Sequence, residues 1–377
     1  MDNTIVALYT PYTADLDVKM LKKAMNLASK HNVQENQGVE YVCPFKVSEI
    51  VARLGLDSNS IISAMIFNII ETENLYEDVL AIKLNFSDDI AELILEIHSL
   101  SQVELLLFPS YDETACQILA LRNHDKRALI IKLAARLERM RTIHHITNSV
   151  YKTNIALQTV KLYAPLAERI GLHSIATELQ DLCLQVIAHN AWQNILEQLQ
   201  HMRIEQANLI IQVTNDLYKT LGKKIRYFEI YGRQKTPYSI WKKMQRKNLQ
   251  LDQLRDIVAF RIIVDKVEDC YTALGLVHNL YHMIPKHFKD FISKPKNNGY
   301  RSLHTIVLCP MGNVIEIQIR TREMHETAEH GQAAHWRYKN GILDNEKIQN
   351  YDRIRNAITD AKKNKVCNQN IDQKSNT

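Results

Sequence analysis

Glycine, paired cysteines and long apolar runs are scarce or missing in this chain of 377 residues. Only 10 residues are glycine, which argues against β-sandwiches and glycine-rich loop folds. The six cysteines are scattered without a CxxC pair, so we expect free thiols in a reducing compartment rather than disulfides or a zinc knuckle. The chain has no uncharged apolar stretch of about 18 residues, which a membrane span would need. At its start, no basic segment precedes an apolar run. We therefore expect a cytoplasmic protein with neither a membrane span nor a signal peptide.

The composition is that of a soluble globular protein. Apolar residues make up 46% of the chain and charged residues 24%. The length is sufficient for two domains, each with its own core. The formal net charge of +5 is compatible with an anionic ligand but does not by itself indicate nucleic acid.

The pattern of apolar residues changes once along the chain. To about residue 195, apolar residues recur at spacings of three and four, which predicts an all-α domain, and a connecting helix follows over 196–222. Over 223–340, four short segments rich in β-branched and aromatic residues predict strands with helices between them: IRYFEIYG, IVAFRIIVD, SLHTIVL and VIEIQIRT. The second domain is thus predicted to be α+β with a mixed sheet, followed by a polar tail over 341–377.

One segment of the second domain, YGRQKTPYSIWKKMQRKN (231–248), concentrates positive charge. Arg233 and Lys235 stand two apart at the end of a predicted strand, so their side chains leave the same face. Ser239 and Lys243 stand four apart on the next helix, whose N-terminal N–H groups favour anions. The spacing alone leaves a groove for polyphosphate and a plain basic surface patch equally open.

Acidic residues on the neighbouring strands favour the groove. Asp256 precedes the apolar run IVAF, and Glu316, Gln318 and Arg320 alternate with isoleucines, so the polar three share one face. Such groups are costly to bury unless something binds them, and two carboxylates from neighbouring strands suit Mg²⁺. Between them, cations surround Tyr300, which fits a nucleotide whose base stacks on the ring. Together these features predict a nucleotide and Mg²⁺ site.

Four segments resemble the synthetase domain of the RelA/SpoT family over about residues 222–340: GRQKTPYSIWKKMQRKN, RDIVAFRIIVD, FKDFISKPKNNGYRSLHT and EIQIRTREMHETAEHGQAAHWRYK. The resemblance implies a nucleotidyltransferase-like sheet and a GTP diphosphokinase, which uses Mg²⁺ to transfer pyrophosphate from ATP to the 3′-hydroxyl of GDP or GTP, giving ppGpp or pppGpp. It makes Asp256 and Glu316 the catalytic and metal-binding residues. The residues that it assigns to ATP are Arg233, Lys235, Ser239, Lys243 and Arg261. Those that it assigns to GDP or GTP are Lys296, Asn298, Tyr300, His304 and Gln318.

The helical domain resembles the HD-type hydrolase domain of the same family over about residues 20–190. That domain removes the 3′-pyrophosphate with a divalent metal, usually Mn²⁺, but the ligand positions here hold Cys43, Phe67, Asn68 and Ala135. Phenylalanine and alanine have no donor atom, and cysteine with asparagine is a poor Mn²⁺ site. The resemblance therefore implies an inactive hydrolase whose helices regulate the synthetase. The resemblance also leads us to expect no counterpart of the family's long C-terminal sensing region after residue 340, either because the protein is naturally short or because the chain is trimmed.

Two alternatives to the synthetase stay open. One alternative is a non-catalytic nucleotide-binding module. The other is a pyrophosphokinase that acts on an RNA end. Two carboxylates in one pocket favour catalysis, because without a metal they would repel phosphates. No membrane contact and no stable nucleic-acid partner are expected. The sequence does not choose between GDP and GTP or fix the oligomeric state.

Overall fold

The computed structural model describes residues 9–13, 16–35, 42–69, 74–106, 125–254, 257–309 and 312–330. Asp256 and the polar tail therefore lie outside the described residues. Up to residue 221 the described elements are helical, as the apolar spacing predicts. The main helices are α1 (Val18–Glu35), α2 (Pro44–Arg53), α3 (Ser58–Ile66), α4 (Leu75–Asn85), α5 (Asp88–Leu106), α6 (Lys126–Arg141), α7 (Ser149–Gln158), α8 (Ala164–Arg169), α9 (His173–Ile187), α10 (His189–His201) and α11 (Arg203–Leu221).

The helices up to α9 enclose one apolar core. Helices α2, α3, α6 and α9 contribute fully buried side chains to it, among them Val51, Ile62, Ile131 and Leu179. Each such side chain contributes about 1.5–3 kcal/mol by leaving water. Helix α4 packs against this core through Val79 and Ile82, although its Tyr76 and Leu84 are more than three-quarters exposed.

The connecting segment is two helices rather than the predicted single one, because Met202 separates α10 from α11. The two helices bury their apolar faces in different places. Ile195 of α10 packs in a small cluster around Ile240, whereas Leu217 of α11 belongs to the core beneath the sheet. Helix α11 is therefore an integral layer of the second domain.

The second domain is built on a mixed sheet, as predicted. Its strands are β1 (Phe228–Gln234), β2 (Val258–Val264), β3 (His282–Met283), β4 (Lys289–Asp290), β5 (Leu303–Leu308) and β6 (Val314–Thr321). Their order is β1-β2-β6-β5-β3, with β4 also paired to β5. Only the β2–β6 pair is parallel in the described sheet. Strands β3 and β4 have two residues each, too few for a periodic pattern to reveal.

Three further helices border this sheet: α12 (Pro237–Lys247), α13 (Val267–Leu280) and α14 (Arg322–His330). Helix α11 lies against β1 at Gly232, where an added Cβ would stand 2.6 Å from Cγ2 of Ile210 and 3.1 Å from Cε1 of Phe260. Glycine is thus required by the close approach of the helix to the strand.

The helical domain contacts the sheet domain through α9, which packs against both α12 and α14. These two helices border the face of the sheet that carries the predicted site. None of the helices in the described ranges is long and apolar enough to cross a membrane.

Candidate active site

Strands β2, β5 and β6 place the predicted polar side chains on one face of the sheet. In the ladders, Glu316 pairs with Ala259, while Gln318 lies between Arg261 and His304. Residues paired across strands point to the same side, so Arg261, Gln318 and His304 form a row. The predicted alternation in β6 is present, since Ile315, Ile317 and Ile319 are fully buried in the core.

The Glu316 carboxylate contacts three side chains on this face. Its oxygens lie 3.0 Å from Nζ of Lys235 and 3.3 Å from Nδ1 of His304, and Nε2 of Gln318 donates to it at 3.2 Å. Burial alone would raise the pKa of this carboxyl, but the His304 contact, the Lys235 charge and the Gln318 hydrogen bond hold it well below its ordinary value. Glu316 is therefore ionised at neutral pH.

Tyr300 is positioned by a turn that requires glycine. Gly299 has φ of +79°, a conformation that L side chains rarely adopt. The N–H of Lys296 donates to the Tyr300 carbonyl, and the Tyr300 hydroxyl lies 2.8 Å from Nε2 of His304. The Lys296 ammonium lies 4.9 Å from the centroid of the ring. A line of contacts thus joins Tyr300 to Glu316 through His304.

Arg261 and Arg233 approach the same face from β2 and β1. Arg261 is largely buried, and its Nη1 lies 3.1 Å from Oε1 of Glu329. Burial and the charge of Arg320 lower the pKa of Arg261 to about 10, with a further contribution from Arg233. Arg233 itself is exposed at the end of β1.

The N-terminus of α12 is occupied by protein groups. The Thr236 hydroxyl caps it and lies 3.0 Å from the Ser239 hydroxyl. The N–H of Tyr238 donates to Oδ1 of Asp181 at 2.8 Å, and Asp181 belongs to helix α9 of the helical domain. The sequence predicted an anion at this helix end; the anion in the structure is a carboxylate of the chain itself.

Two further contacts join the helical domain to the predicted acceptor residues. Asn298 donates through Nδ2 to the backbone carbonyl of Glu168 at 2.9 Å. The ring of His173 meets that of Tyr300 edge-on, with centroids 5.4 Å apart. Sequence reasoning missed His173 and Asp181, because neither lies near a synthetase motif and only the packing of α9 brings them to the site. Glu329 was also missed, although its spacing of four from His325 on a helix after β6 is visible in the sequence.

The four residues at the expected hydrolase ligand positions differ in burial. Phe67 and Ala135 pack against the helical core, Asn68 is exposed, and Cys43 immediately precedes α2. Among the described residues, no three His, Cys, Asp or Glu side chains stand close enough to hold a metal ion.

Comparison with known proteins places both domains. Residues 232–343 match the model for a region found in RelA/SpoT proteins, and residues 20–173 match an HD domain. The GTP pyrophosphokinase of Haemophilus influenzae is 38% identical over 313 residues, which cover 81% of this chain and 40% of that protein. The chain belongs to the RelA/SpoT family.

Other known proteins show similar matches. A GTP pyrophosphokinase rsh from Brucella ovis is 36% identical over 332 residues, or 87% of this chain and 44% of that protein. The chain thus spans about two fifths of the length of the curated relatives that it matches. Small alarmone synthetase 1 from Bacillus subtilis, solved with its product pppGpp, is 22% identical with a TM-score of 0.30 and covers 43% of this chain and 98% of its own.

Proposed function

We propose that this chain transfers pyrophosphate from ATP to the 3′-hydroxyl of GDP or GTP. The observation that supports this most is the connected set Lys235–Glu316–His304–Tyr300, in which the residue after β1 meets residues from β5, β6 and a glycine turn on one sheet face. It joins a residue that the family resemblance assigns to ATP with residues that it assigns to the acceptor. Relatives named GTP pyrophosphokinase at 36–38% identity support the same activity.

In the proposed reaction the acceptor 3′-oxygen forms a bond to the β-phosphorus of ATP. The bond from that phosphorus to the oxygen bridging the α- and β-phosphates breaks, and AMP leaves with the electron pair. Such transfers depend mainly on positioning and charge neutralisation, which Arg233, Lys235 and Lys243 would provide. Lys296, Tyr300 and His304 would hold the acceptor base and ribose.

Glu316 has two roles in this proposal. It accepts the proton of the 3′-hydroxyl, but its depressed pKa makes it a weak base while His304 and Lys235 both remain in contact. Movement of Lys235 to a phosphate oxygen would raise that pKa and prepare the carboxylate for proton transfer. A buried, ionised carboxylate also fits Mg²⁺, which Glu316 and Asp256 would hold; when bound, the ion neutralises the charge of the phosphates.

The helical domain is proposed to be an inactive hydrolase that restrains the synthetase. Phe67 and Ala135 supply no metal-binding atom at positions where the family uses histidine and aspartate. The contacts of Asp181 with α12 and of His173 with Tyr300 place this domain against both halves of the proposed nucleotide site. Binding of both nucleotides would therefore require α9 to move.

A product assay tests the proposal. Purified protein is mixed with Mg²⁺, labelled ATP and GDP or GTP, and the nucleotides are separated. We expect label in ppGpp or pppGpp, and a loss of about 100-fold or more for Glu316→Gln, since general acid–base groups contribute at least this much. Glu323→Gln, an exposed carboxylate on α14, is the matched control and should keep full activity.

If the nucleotides bind but no labelled product forms, the chain is a nucleotide-binding module and the proposed reaction is wrong. If label appears only on an added RNA 3′ end, the acceptor assignment is wrong.

A further inference from the structure

A buried ion cluster behind the predicted ATP site joins β2, β6 and α14. It comprises Arg261, Arg320, His325 and Glu329. Arg320 is only 1% exposed, although it lies on the polar face of β6. Burying a guanidinium is costly unless it is paired, so the structure must supply a counter-ion at this depth.

Glu329 supplies that counter-ion for both arginines. Its Oε1 lies 3.1 Å from Nη2 of Arg320 and 3.1 Å from Nη1 of Arg261. In the β2–β6 ladder Arg261 pairs with Gln318, and Arg320 is two residues further along, so the two guanidiniums are diagonal neighbours on one face. One carboxylate therefore bridges two like charges that would otherwise repel each other.

His325 completes the cluster without adding a charge. It stands one helical turn before Glu329 on α14, and its Nδ1 accepts a hydrogen bond from Nη2 of Arg320 at 2.7 Å. Burial and the charge of Arg320 lower the pKa of His325 to about 4. At neutral pH the cluster thus holds two positive groups and one negative group.

The arginines also depend on Glu329 for their geometry. The Nε atoms of Arg261 and Arg320 are buried, and neither has a hydrogen-bond partner within the described ranges. Arg261 is held at its tip by Glu329. Without Glu329, repulsion from Arg320 would move the Arg261 side chain out of its present position.

We propose that Glu329 is a positioning residue, which holds the Arg261 guanidinium in the orientation that contacts ATP. The inference rests on the proposed function and on the family resemblance, which assigns Arg261 to ATP. It differs from a role in blocking the site, in which Glu329 would compete with the nucleotide for the arginine.

Binding measured by titration calorimetry separates these roles. The probes are GDP and an ATP analogue with a methylene group between the α- and β-phosphates, which binds without turnover. For Glu329→Gln we expect the dissociation constant of the analogue to rise about 10-fold, equal to about 1.4 kcal/mol, while that of GDP changes less than about 2-fold. Glu323→Gln, on the same helix but exposed, should bind both as the wild type does.

A double-mutant cycle tests the route through Arg261. In an Arg261→Met background, Glu329→Gln should weaken analogue binding by less than about 2-fold, since no guanidinium is left to position. A full 10-fold effect in that background would overturn the proposal, because Glu329 would then act through Arg320 or the fold. Tighter or unchanged binding in the single variant would also overturn it.

Two further measurements keep the test decisive. If Glu329→Gln melts far below the wild type, Glu329→Asp is tested instead. This variant, with its shorter side chain, should melt near the wild type yet still bind the analogue more weakly. Wild-type affinity of Glu329→Asp for the analogue would refute the proposal. If the wild-type chain binds the analogue but makes no ppGpp or pppGpp, the proposed reaction fails, whereas the cycle still decides the role of Glu329.

Discussion

Asp181 offers a direct test of whether the helical domain restrains the synthetase. Its carboxylate accepts the N–H of Tyr238 at the N-terminus of α12, where the sequence predicts that ATP phosphates bind. Replacing Asp181 with asparagine keeps an acceptor of the same shape but removes the charge. If ATP must displace this group, weakening the contact should strengthen ATP binding.

The expected size of the effect follows from the position of Asp181. A carboxylate at a helix N-terminus contributes about 0.3–1 kcal/mol when exposed and up to about 2 kcal/mol when partly buried. Removing that hold should lower the dissociation constant of the methylene ATP analogue by about 2- to 30-fold. The fold should lose little stability, because the cost of burying the ionised Asp181, seen in its raised pKa, offsets the favourable contact with α12. We therefore expect Asp181→Asn to melt no lower than about 3 °C below the wild type.

The assay is calorimetric titration of the analogue into the wild type and Asp181→Asn, with Glu178→Gln as the control. Glu178 lies three residues earlier on α9, and its carboxylate pairs with Arg141 inside the helical domain, so its loss changes the net charge equally without touching α12. Weaker or unchanged binding by Asp181→Asn, with a preserved melting temperature, would show that Asp181 supports the site or is irrelevant to it.

Two other predictions concern stability. The pKa of His325 is lowered to about 4, so the folded state favours the neutral ring; its contribution to stability is complete above the unfolded pKa of about 6.5 and is lost as pH falls through 4. Between pH 7 and pH 4, the unfolding free energy measured with denaturant should fall in the wild type. In His325→Gln this fall should be smaller by up to about 3 kcal/mol. An equal fall in both proteins would contradict this reasoning. Gly232→Ala should lower the unfolding free energy by about 1–3 kcal/mol, because the new Cβ meets Ile210. Gly275→Ala, in the middle of α13 where a Cβ has open space, should raise it by up to about 1 kcal/mol. A change of the same sign in both variants would refute the packing argument.

The sequence predicts local features of this protein well and distant contacts poorly. The alternation in VIEIQIRT predicts the face of Glu316 and Gln318, because strand period is a local property of the backbone. It does not predict that Arg320 on the same face would be buried beneath α14. The approach of Asp181 to α12 depends on how two domains pack, and no spacing within either segment records it.

Within the described residues, the carboxylates of Glu316, Glu329 and Asp181 contact the predicted ATP site. The domain to which each carboxylate belongs indicates its role. Glu316 holds Lys235 and Glu329 holds Arg261, and both acids lie on the sheet domain beside the cations that they contact. Asp181 reaches the end of α12 from the helical domain. A counter-ion on the same rigid unit, such as Glu329 for Arg261, can orient its cation while a nucleotide binds, because the two need not separate. A counter-ion on another unit is withdrawn whenever that unit moves. Variants of Glu329 and of Asp181 should therefore shift ATP affinity in opposite directions, although each removes one negative charge from the same site.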